Sequence, residues 1–245
     1  MPKLGLGNKS SSGSSMITPG IITDSLVMRH NYNGNTVQPL SDGAAYFDGV
    51  QDYIKITNNS SDLFTLGTSD FAWTGWVKYR SQDQKKIFDA LDDDINGFFI
   101  FISNGKIRAR VCDAVGTFST NLNGTGWRHV AVNFDRSGNA TCYIDGVLEV
   151  ATVDISGEAA DDAGCADDIT IGINNDETSE DFTGYLCNIG VWKRLLTQTE
   201  IKSIMFKQYA DLSTSEKTNL TAWWNLDTDG TDSTGNGNTG VATGF

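Results

Sequence analysis

The sequence predicts an all-β protein in which two antiparallel sheets stack as a sandwich. Three observations carry this prediction: short runs in which apolar and polar residues alternate, turn dipeptides between those runs, and 26 glycines against only 3 prolines in 245 residues. Alternation with a period of two places one side of each strand in a core, and glycine allows the tight reversals that antiparallel strands need. A chain of this length fits one large sandwich.

The alternation begins near Ala44 and is clearest in three runs. In 71–78 (FAWTGWVK), 106–112 (KIRARVC) and 127–134 (WRHVAVNF), apolar residues recur at every second position. These runs predict strands with one buried face and one amphipathic face. By contrast, 97–106 (GFFIFISNGK) is almost continuously apolar, which predicts a strand covered on both faces.

Turn and capping signals accompany these runs. Asn-Gly at 104–105 and Asp-Gly at 145–146 are dipeptides that favour two-residue hairpins. Thr197 and Glu200 have the spacing of a capping box, and the apolar residues that follow them predict one short helix near 198–209.

Five phrases follow one another along the chain, and turn residues close them. They are FDGVQDYIKI (47–56), FAWTGWVK (71–78), GWRHVAVNFDRSGNATCYIDGV (126–147), FTGYLCNIGVWKRLLTQTEI (182–201) and LTAWWNLDTDGTDSTGNGNTG (220–240). Together they resemble the laminin-G-like, concanavalin-A-like lectin jelly roll, and the resemblance covers residues 41–245. It implies a module that binds and displays far more often than it catalyses.

The last phrase departs from the usual order of this family. A segment like WNLDTDGTDSTGNGNTG commonly precedes the FDG strand, whereas here it closes the sequence. The departure predicts either a circularly rearranged domain boundary or a following repeat, and it leaves the strand order open.

The distribution of charge divides the chain into two predicted parts. Residues 1–20 are rich in Gly and Ser, and residues 1–40 carry three basic residues against one acidic residue, whereas every charged residue of 154–181 is acidic. We predict an extended N-terminal arm at 1–40 and a jelly-roll domain at 41–245. A basic arm beside an acidic body favours docking onto sister subunits or other structural proteins in a large assembly. The net charge of −13 disfavours general nucleic-acid binding, since a phosphate-binding surface must be basic.

Cysteine usage and hydropathy bear on the compartment. The chain has 4 cysteines without CxxC or other metal-ligand spacing, so we expect free thiols. The N-terminus has no apolar run suited to a signal peptide, and no stretch is long enough to cross a membrane. We therefore expect synthesis in a reducing cytoplasm and no membrane insertion.

The sequence predicts no catalytic residue. Glycoside hydrolases of this sandwich fold place carboxylates at alternate positions of one strand, as E-x-D-x-E or E-x-D-x-x-E, and neither motif occurs here. The nearest acidic segments, 158–162 and 177–181, have loop-like surroundings. The chain has only 2 histidines, no G-x-S-x-G and no phosphate-binding glycine loop, so we also expect no organic cofactor.

A structural calcium ion is an open alternative for the acidic loops, because carboxylate and carbonyl oxygens bind hard cations. The candidate ligands are Asp48, Asp52, Asp92 and Asp94. The competing interpretation is that these loops are solvated acidic turns. The family's G-x-I-D-E strand is GYLCN in this chain, so Cys187 and Asn188 replace its acidic pair and weaken a metal site implied by resemblance.

The polar faces of the predicted strands supply the candidate ligand-binding residues. If those strands share one sheet, aromatic and cationic side chains gather on one surface, which would suit an acidic glycan or a neighbouring subunit. The alternative is that Trp76 and Trp127 are packing residues beneath a loop or the arm, with the cations at the rim. The candidates are Trp76, Lys78, Arg108, Arg110, His129 and Tyr143.

These features favour a non-catalytic structural protein of a tailed-phage virion. It would be a head decoration protein, tail fibre or other appendage that displays a lectin-like domain for particle assembly or host-surface glycan attachment. The opening MPKLGLG resembles the starts of structural proteins from marine tailed phages. The alternative is a stand-alone carbohydrate-binding module of a bacterial surface or secreted protein, and an enzyme is the least favoured hypothesis.

Overall fold

The protein forms a two-layered β-sandwich. The computed structural model describes residues 39 and 41, and residues 43–80, 84–92 and 96–245. These residues contain two antiparallel seven-stranded sheets and a single α-helix, α1 (Gln198–Ile204). The predicted all-β sandwich with one short helix is therefore confirmed. Of the predicted arm 1–40, residue 39 alone lies inside the described part.

The strands follow one another along the chain as β1 (Ala45–Asp48), β2 (Tyr53–Ile56), β3 (Phe71–Tyr79), β4 (Lys85–Leu91), β5 (Gly97–Ser103), β6 (Lys106–Val111), β7 (Ala114–Asn121), β8 (Arg128–Phe134), β9 (Asn139–Ile144), β10 (Val147–Asp154), β11 (Ile169–Ile171), β12 (Thr183–Trp192), β13 (Leu220–Trp224) and β14 (Val241–Thr243). Sheet I has the order β1–β12–β3–β8–β9–β10, with β13 also paired to β12. Sheet II has the order β14–β2–β11–β4–β5–β6–β7.

The inner faces of the two sheets form one apolar core. Phe71 of β3 stacks on Phe134 of β8 with ring centroids 4.3 Å apart, and Phe98 of β5 in the facing sheet lies 4.8 Å from Phe71. All three rings are completely buried. The apolar positions of the sequence alternation are thus the residues that join the layers.

Strand β5 is covered on both faces, as its continuous apolar run predicts. Phe98, Ile100 and Ile102 belong to the core between the sheets. Phe99 and Phe101 point to the outer face, yet they are only 9% and 3% exposed. Side chains of neighbouring strands therefore cover this part of the outer face as well.

Helix α1 lies over the centre of sheet I's outer face. Thr197 and Glu200 form the predicted capping box, and Ile201 and Ile204 pack against Trp192 and Trp223. The helix ends earlier than predicted and is followed by a separate 3₁₀ turn at Tyr209–Asp211. Among the described residues, no helix has the length and hydropathy that a bilayer-spanning helix needs.

The C-terminal segment joins both sheets. The first half of β12 pairs with β1 and its second half with β13, so β1 and β13 lie along the same edge of β12. Strand β14 then pairs with β2 in sheet II. The C-terminal segment therefore packs within this same sandwich.

The loop between β13 and β14 is held by one buried carboxylate. Asp232 accepts hydrogen bonds from the backbone N–H groups of Trp223, Thr234 and Asn238 at 3.0–3.1 Å. The indole Nε1 of Trp224 donates to the carbonyl oxygen of Asn238 at 2.8 Å. Since Asp232 is only 5% exposed, its removal would leave several buried donors without a partner.

We expect Asp232→Ala to lower the free energy of unfolding by roughly 2–4 kcal/mol, because several buried N–H groups lose their acceptor together. The matched control is Asp229→Ala in the same loop, since Asp229 accepts from the exposed backbone N–H of Thr231. Urea unfolding of the three proteins measures the difference. Equal stability of the two variants would contradict the role assigned to Asp232.

Candidate functional site

Three of the six predicted ligand-binding residues lie beneath helix α1. Trp76 donates from Nε1 to the carbonyl oxygen of Met205 at 2.8 Å, and its ring meets the edge of His129 at a centroid distance of 5.4 Å. Both side chains are 1% exposed. Tyr143 is half-buried against the cluster under the helix. The outer face of sheet I at these positions is a second packing layer, as the alternative interpretation of Trp76 holds.

The bond from Trp76 also explains where α1 ends. Its indole N–H occupies the carbonyl oxygen of Met205, and Met205 packs against Trp76 and Cys187. A side chain of the sheet thus satisfies a carbonyl at the helix C-terminus, where backbone acceptors have no partner within the helix.

The six candidate residues do not share one sheet. Arg108 and Arg110 belong to β6 in sheet II, so they lie on the opposite outer face of the sandwich from Trp76 and Lys78. After β3 the chain leaves sheet I and returns to it only at β8, because β4 to β7 form a continuous meander in sheet II. The guanidinium of Arg108 lies 5.8 Å from the ring of Phe101. Arg110 pairs with Asp113 and bonds to the carbonyl oxygen of Cys112.

His129 is a neutral core residue at ordinary pH. Burial lowers the pKa of its imidazole to about 3, because the cation would be desolvated. Its Nδ1 has no hydrogen-bond partner among the described residues. The imidazole therefore offers neither a charge nor an accessible nitrogen to a ligand in solution.

An exposed aromatic surface lies on sheet I beyond the end of the helix. We call it the aromatic platform, and it consists of Tyr46, Trp127 and Tyr185 with the cations Lys78 and Arg80. Tyr46 of β1 pairs with Tyr185 of β12, and Tyr185 pairs with Lys78 of β3. Tyr46, Tyr185 and Lys78 point outward, since the residue next to each of them in its strand belongs to the core. These neighbours are Phe47, Leu186 and Val77.

The rings of the platform contact one another around Tyr185. The centroid of Tyr185 lies 4.8 Å from that of Tyr46 and 6.1 Å from that of Trp127. Lys78 Nζ and Arg80 Cζ each lie 5.4 Å from the Tyr185 centroid. Tyr46 is 44% exposed, Arg80 is exposed, and the other three side chains are half-buried. The platform is thus a set of accessible rings with cationic groups at its centre.

The platform stands on rigid elements. Trp127 packs against the cluster of Trp76, Cys187 and Met205, which holds it against the end of the helix. Gly184, beside Tyr185, has a φ of +146°, and a side chain there would collide with the carbonyl oxygen of Lys78. Glycine at this position therefore allows β12 and β3 to approach closely where the platform lies.

Sequence reasoning selected Lys78 but missed Tyr46 and Tyr185. The alternation of faces along a strand is enough to identify both tyrosines as outward-facing, because each precedes a core residue in its strand. The missing information was the pairing of β1 with β12 and of β12 with β3, which joins residues about 140 and 110 positions apart. Trp127 was noted only as a packing residue, and it both packs and contributes to the platform.

The outer face of sheet II holds a buried ion pair. Lys86 Nζ lies 3.0 Å from Asp89 Oδ2, 3.7 Å from Glu180 Oε2 and 3.7 Å from the centroid of Phe99. Burial raises the pKa of Asp89, and the charge of Lys86 opposes that shift. The backbone N–H of Asn175 also bonds to Asp89 at 3.3 Å. One ammonium group thus serves both carboxylates and anchors the segment after β11 across sheet II.

The carboxylates predicted as calcium ligands serve as turn acceptors. Asp52 accepts from the backbone N–H of Asp48 at 2.8 Å, and Asp48 accepts from that of Val50 at 2.7 Å. Asp92 accepts from the backbone N–H of Asn96 at 3.2 Å. Asp94 lies outside the described residues, and within those residues no group of three or more potential ligands is placed to hold a metal ion. A structural calcium ion remains a prediction.

The four cysteines are packing residues. All four are free and buried. Burial raises the pKa of Cys165 and of Cys187 to about 12, so both are neutral thiols at ordinary pH. Cys187 packs beside Trp76, where it acts as a small apolar side chain.

A family model described as the concanavalin A-like lectin/glucanases superfamily matches residues 48–202. The chain belongs to this superfamily. The matched segment includes every platform residue except Tyr46, and it ends within α1. Among curated proteins, none matches the sequence.

Three solved structures illustrate the range of proteins that share the fold. A protein from Bacteroides ovatus ATCC 8483, provisionally described as carbohydrate-binding, superposes with a TM-score of 0.60 at 17% identity, over 82% of this chain and 58% of its own. The native heptameric SAP-like pentraxin of Limulus polyphemus superposes with a TM-score of 0.55 at 16% identity, over 81% of this chain and 90% of its own. The receptor-binding domain of botulinum neurotoxin C/D mosaic serotype superposes with a TM-score of 0.51 at 19% identity, over 64% of this chain and 41% of its own.

These identities support a likeness of fold and nothing finer. This chain spans 58% of the Bacteroides ovatus protein and 41% of the toxin domain, so both are considerably longer.

The buried imidazole predicts a pH-dependent stability. Since the pKa of His129 is lower in the folded state than its ordinary value of 6.5, protons bind preferentially to the unfolded chain. Stability should therefore fall as the pH drops below about 6.5, by roughly 2–3 kcal/mol at about pH 4.5. Urea unfolding of wild type and His129→Gln at both pH values measures this contribution. An unchanged difference in stability between the two pH values in the variant would contradict it.

Proposed function

We propose that this member of the superfamily is a non-catalytic carbohydrate-binding module and that its sugar-contacting surface is the aromatic platform. The observation that carries the proposal is the contact of three accessible rings on one sheet face, centred on Tyr185. Aromatic faces stack against the apolar C–H faces of sugar rings, and they retain enough polarity at the tyrosine hydroxyl groups to hydrogen-bond sugar hydroxyls.

Rigidity favours this surface as a binding site. Neighbouring strands lie about 4.8 Å apart, so rings on β1 and β12 are spaced at the scale of a single sugar ring. Because the side chains project from paired strands, little conformational entropy is lost on binding. The Bacteroides ovatus protein of the same fold, provisionally described as carbohydrate-binding, gives independent support.

The absence of catalysis is part of the proposal. The carboxylate most buried on the outer face of sheet II, Asp89, is paired with Lys86, and Lys86 is shared with Glu180. Hydrolysis by two carboxylates requires one to act as an acid and the other as a base or nucleophile. A lysine held between them favours a structural anchor instead.

At the level of the whole protein, we propose a virion structural role: a head decoration protein, tail fibre or other appendage that displays the sandwich for assembly or host-surface attachment. The basic segment 1–40 beside an acidic domain supports it, because opposite charges favour docking between subunits. The virion would then be its location, after synthesis in the host cytoplasm. The alternative, a carbohydrate-binding module of a bacterial surface or secreted protein, is compatible with the same site.

We expect Tyr185→Ala to weaken glycan binding by at least about tenfold, since the central ring of the platform is lost. A glycan array identifies a bound sugar for the wild type, and calorimetry compares the variants. Tyr209→Ala is the matched control, because Lys217 Nζ lies 4.2 Å from the Tyr209 ring but the residue is outside the platform. Thermal unfolding verifies that each variant is folded.

The double variant Arg108→Ala/Arg110→Ala distinguishes the two faces of the sandwich. It should bind sugar as the wild type does, because both arginines belong to sheet II. Loss of binding in this variant, together with retention in Tyr185→Ala, would move the sugar site to the other sheet. No sugar signal for any of the proteins would overturn the carbohydrate-binding proposal.

Deletion of residues 1–40 tests the assembly role. Since β1 begins at Ala45, the truncated protein retains every described strand and should unfold at nearly the same temperature as the full chain. Under the virion proposal it should be monomeric in analytical ultracentrifugation, whereas the full chain forms a larger species. Assembly that survives the deletion would remove the arm from the mechanism.

A further inference from the structure

Several cations among the described residues of this protein pair with carboxylates. Lys55 pairs with Asp168 and Glu177, Lys86 pairs with Asp89, and Arg128 pairs with Asp145, at 2.7–3.1 Å.

Within the described part of the chain, neither Lys78 nor Arg80 makes an ion pair with a carboxylate. Asp48 shares the outer face of β1, but it accepts the backbone N–H of Val50. Two positive charges therefore stand together on an accessible face of a protein whose net charge is −13.

Both charges are directed at one point. Lys78 lies on β3 and Arg80 directly follows the last residue of that strand, and each cationic group lies 5.4 Å from the centroid of Tyr185. Cation–π attraction to that ring limits where the two flexible side chains can extend. The central stacking ring and the two cations thus form a single preorganised group.

We propose that the platform selects sugars that carry an anionic group, a carboxylate or a sulfate ester, and that Lys78 and Arg80 bind this group. The proposal rests on the proposed function, because the sugar ring must stack on Tyr185. A ring in that position brings its charged substituent within reach of both cations. The guanidinium can bind two oxygens of the anion side by side, and the ammonium adds a point charge.

The negative charge of the rest of the molecule increases the selectivity of the platform for its ligand. A net negative protein repels polyanions except near its exposed cations, so the two adjacent cations of the platform favour the approach of an acidic glycan to this surface. Binding should weaken as salt is added, since the contact is solvent-exposed and the Debye length falls to about 8 Å at physiological ionic strength. A neutral sugar that merely stacks would show almost no salt dependence.

The competing explanation is that both cations only stack on Tyr185 and remain hydrated. Matched glycans separate the two. The probes are oligogalacturonides with their neutral methyl esters, sialyllactose with its neutral carboxyl methyl ester, and a sulfated galactan with its unsulfated form. Each pair shares the sugar rings and differs at the anionic group, and the first two pairs test carboxylate while the third tests sulfate.

We expect the wild type to bind the acidic member of at least one pair about tenfold more tightly than the neutral member at low salt. Lys78→Gln/Arg80→Gln should abolish this preference, whereas Tyr185→Ala should weaken binding of both members. Lys106→Gln/Lys202→Gln removes the same charge elsewhere and should leave the preference intact.

Every other outcome overturns either the anionic selection or the carbohydrate-binding proposal. Equal binding of acidic and neutral members, or a preference that survives in Lys78→Gln/Arg80→Gln, would overturn the anionic selection and leave the carbohydrate-binding proposal standing. Binding of neither member in any pair would overturn the anionic selection for these sugars. If a broad array also gave no signal, carbohydrate binding itself would be overturned.

Discussion

Strand β12 is the constraint on which the rest of the structure depends, because it has neighbours along the whole of both edges. β3 pairs along one edge, while β1 and β13 divide the other. Its inner side chains belong to the core between the sheets, and Cys187 and Trp192 on the outer face are covered by the helix and the segment after it. A one-residue shift of its register would exchange these two sets of side chains, so burial on both faces specifies one register.

That register also creates the platform. Tyr185 lies beside Tyr46 and Lys78 only because β12 pairs with β1 and β3 in this alignment. The helix covers the centre of the outer face and stops at Met205, whose carbonyl oxygen is occupied by Trp76. Packing beneath the helix and accessibility beyond it are therefore consequences of one arrangement, in which the same sheet face has a dry part and an exposed part.

Local patterns in the sequence predicted the fold well, and the site only in part. Alternation identified the strands, and the capping box at Thr197 and Glu200 identified the helix, because these signals lie within a few residues of one another. The position of a residue in the alternation predicts which face of its strand the side chain occupies, but it does not predict which sheet that strand joins. Arg108 and Trp76 have equivalent local patterns, yet β6 and β3 lie in opposite sheets. Membership of a sheet is fixed by long-range pairing, which no short pattern encodes.

The position of the final residues has a consequence for how such a module can be built into longer proteins. The ring of Phe245 lies 5.1 Å from that of Phe47 in β1, so the two extremities of the sandwich are neighbours in space. A short splice could connect them, and the same interfaces would re-form if the polypeptide were opened before β13 instead. A rearrangement of this kind would move the entry and exit points of the scaffold while leaving the aromatic platform in place.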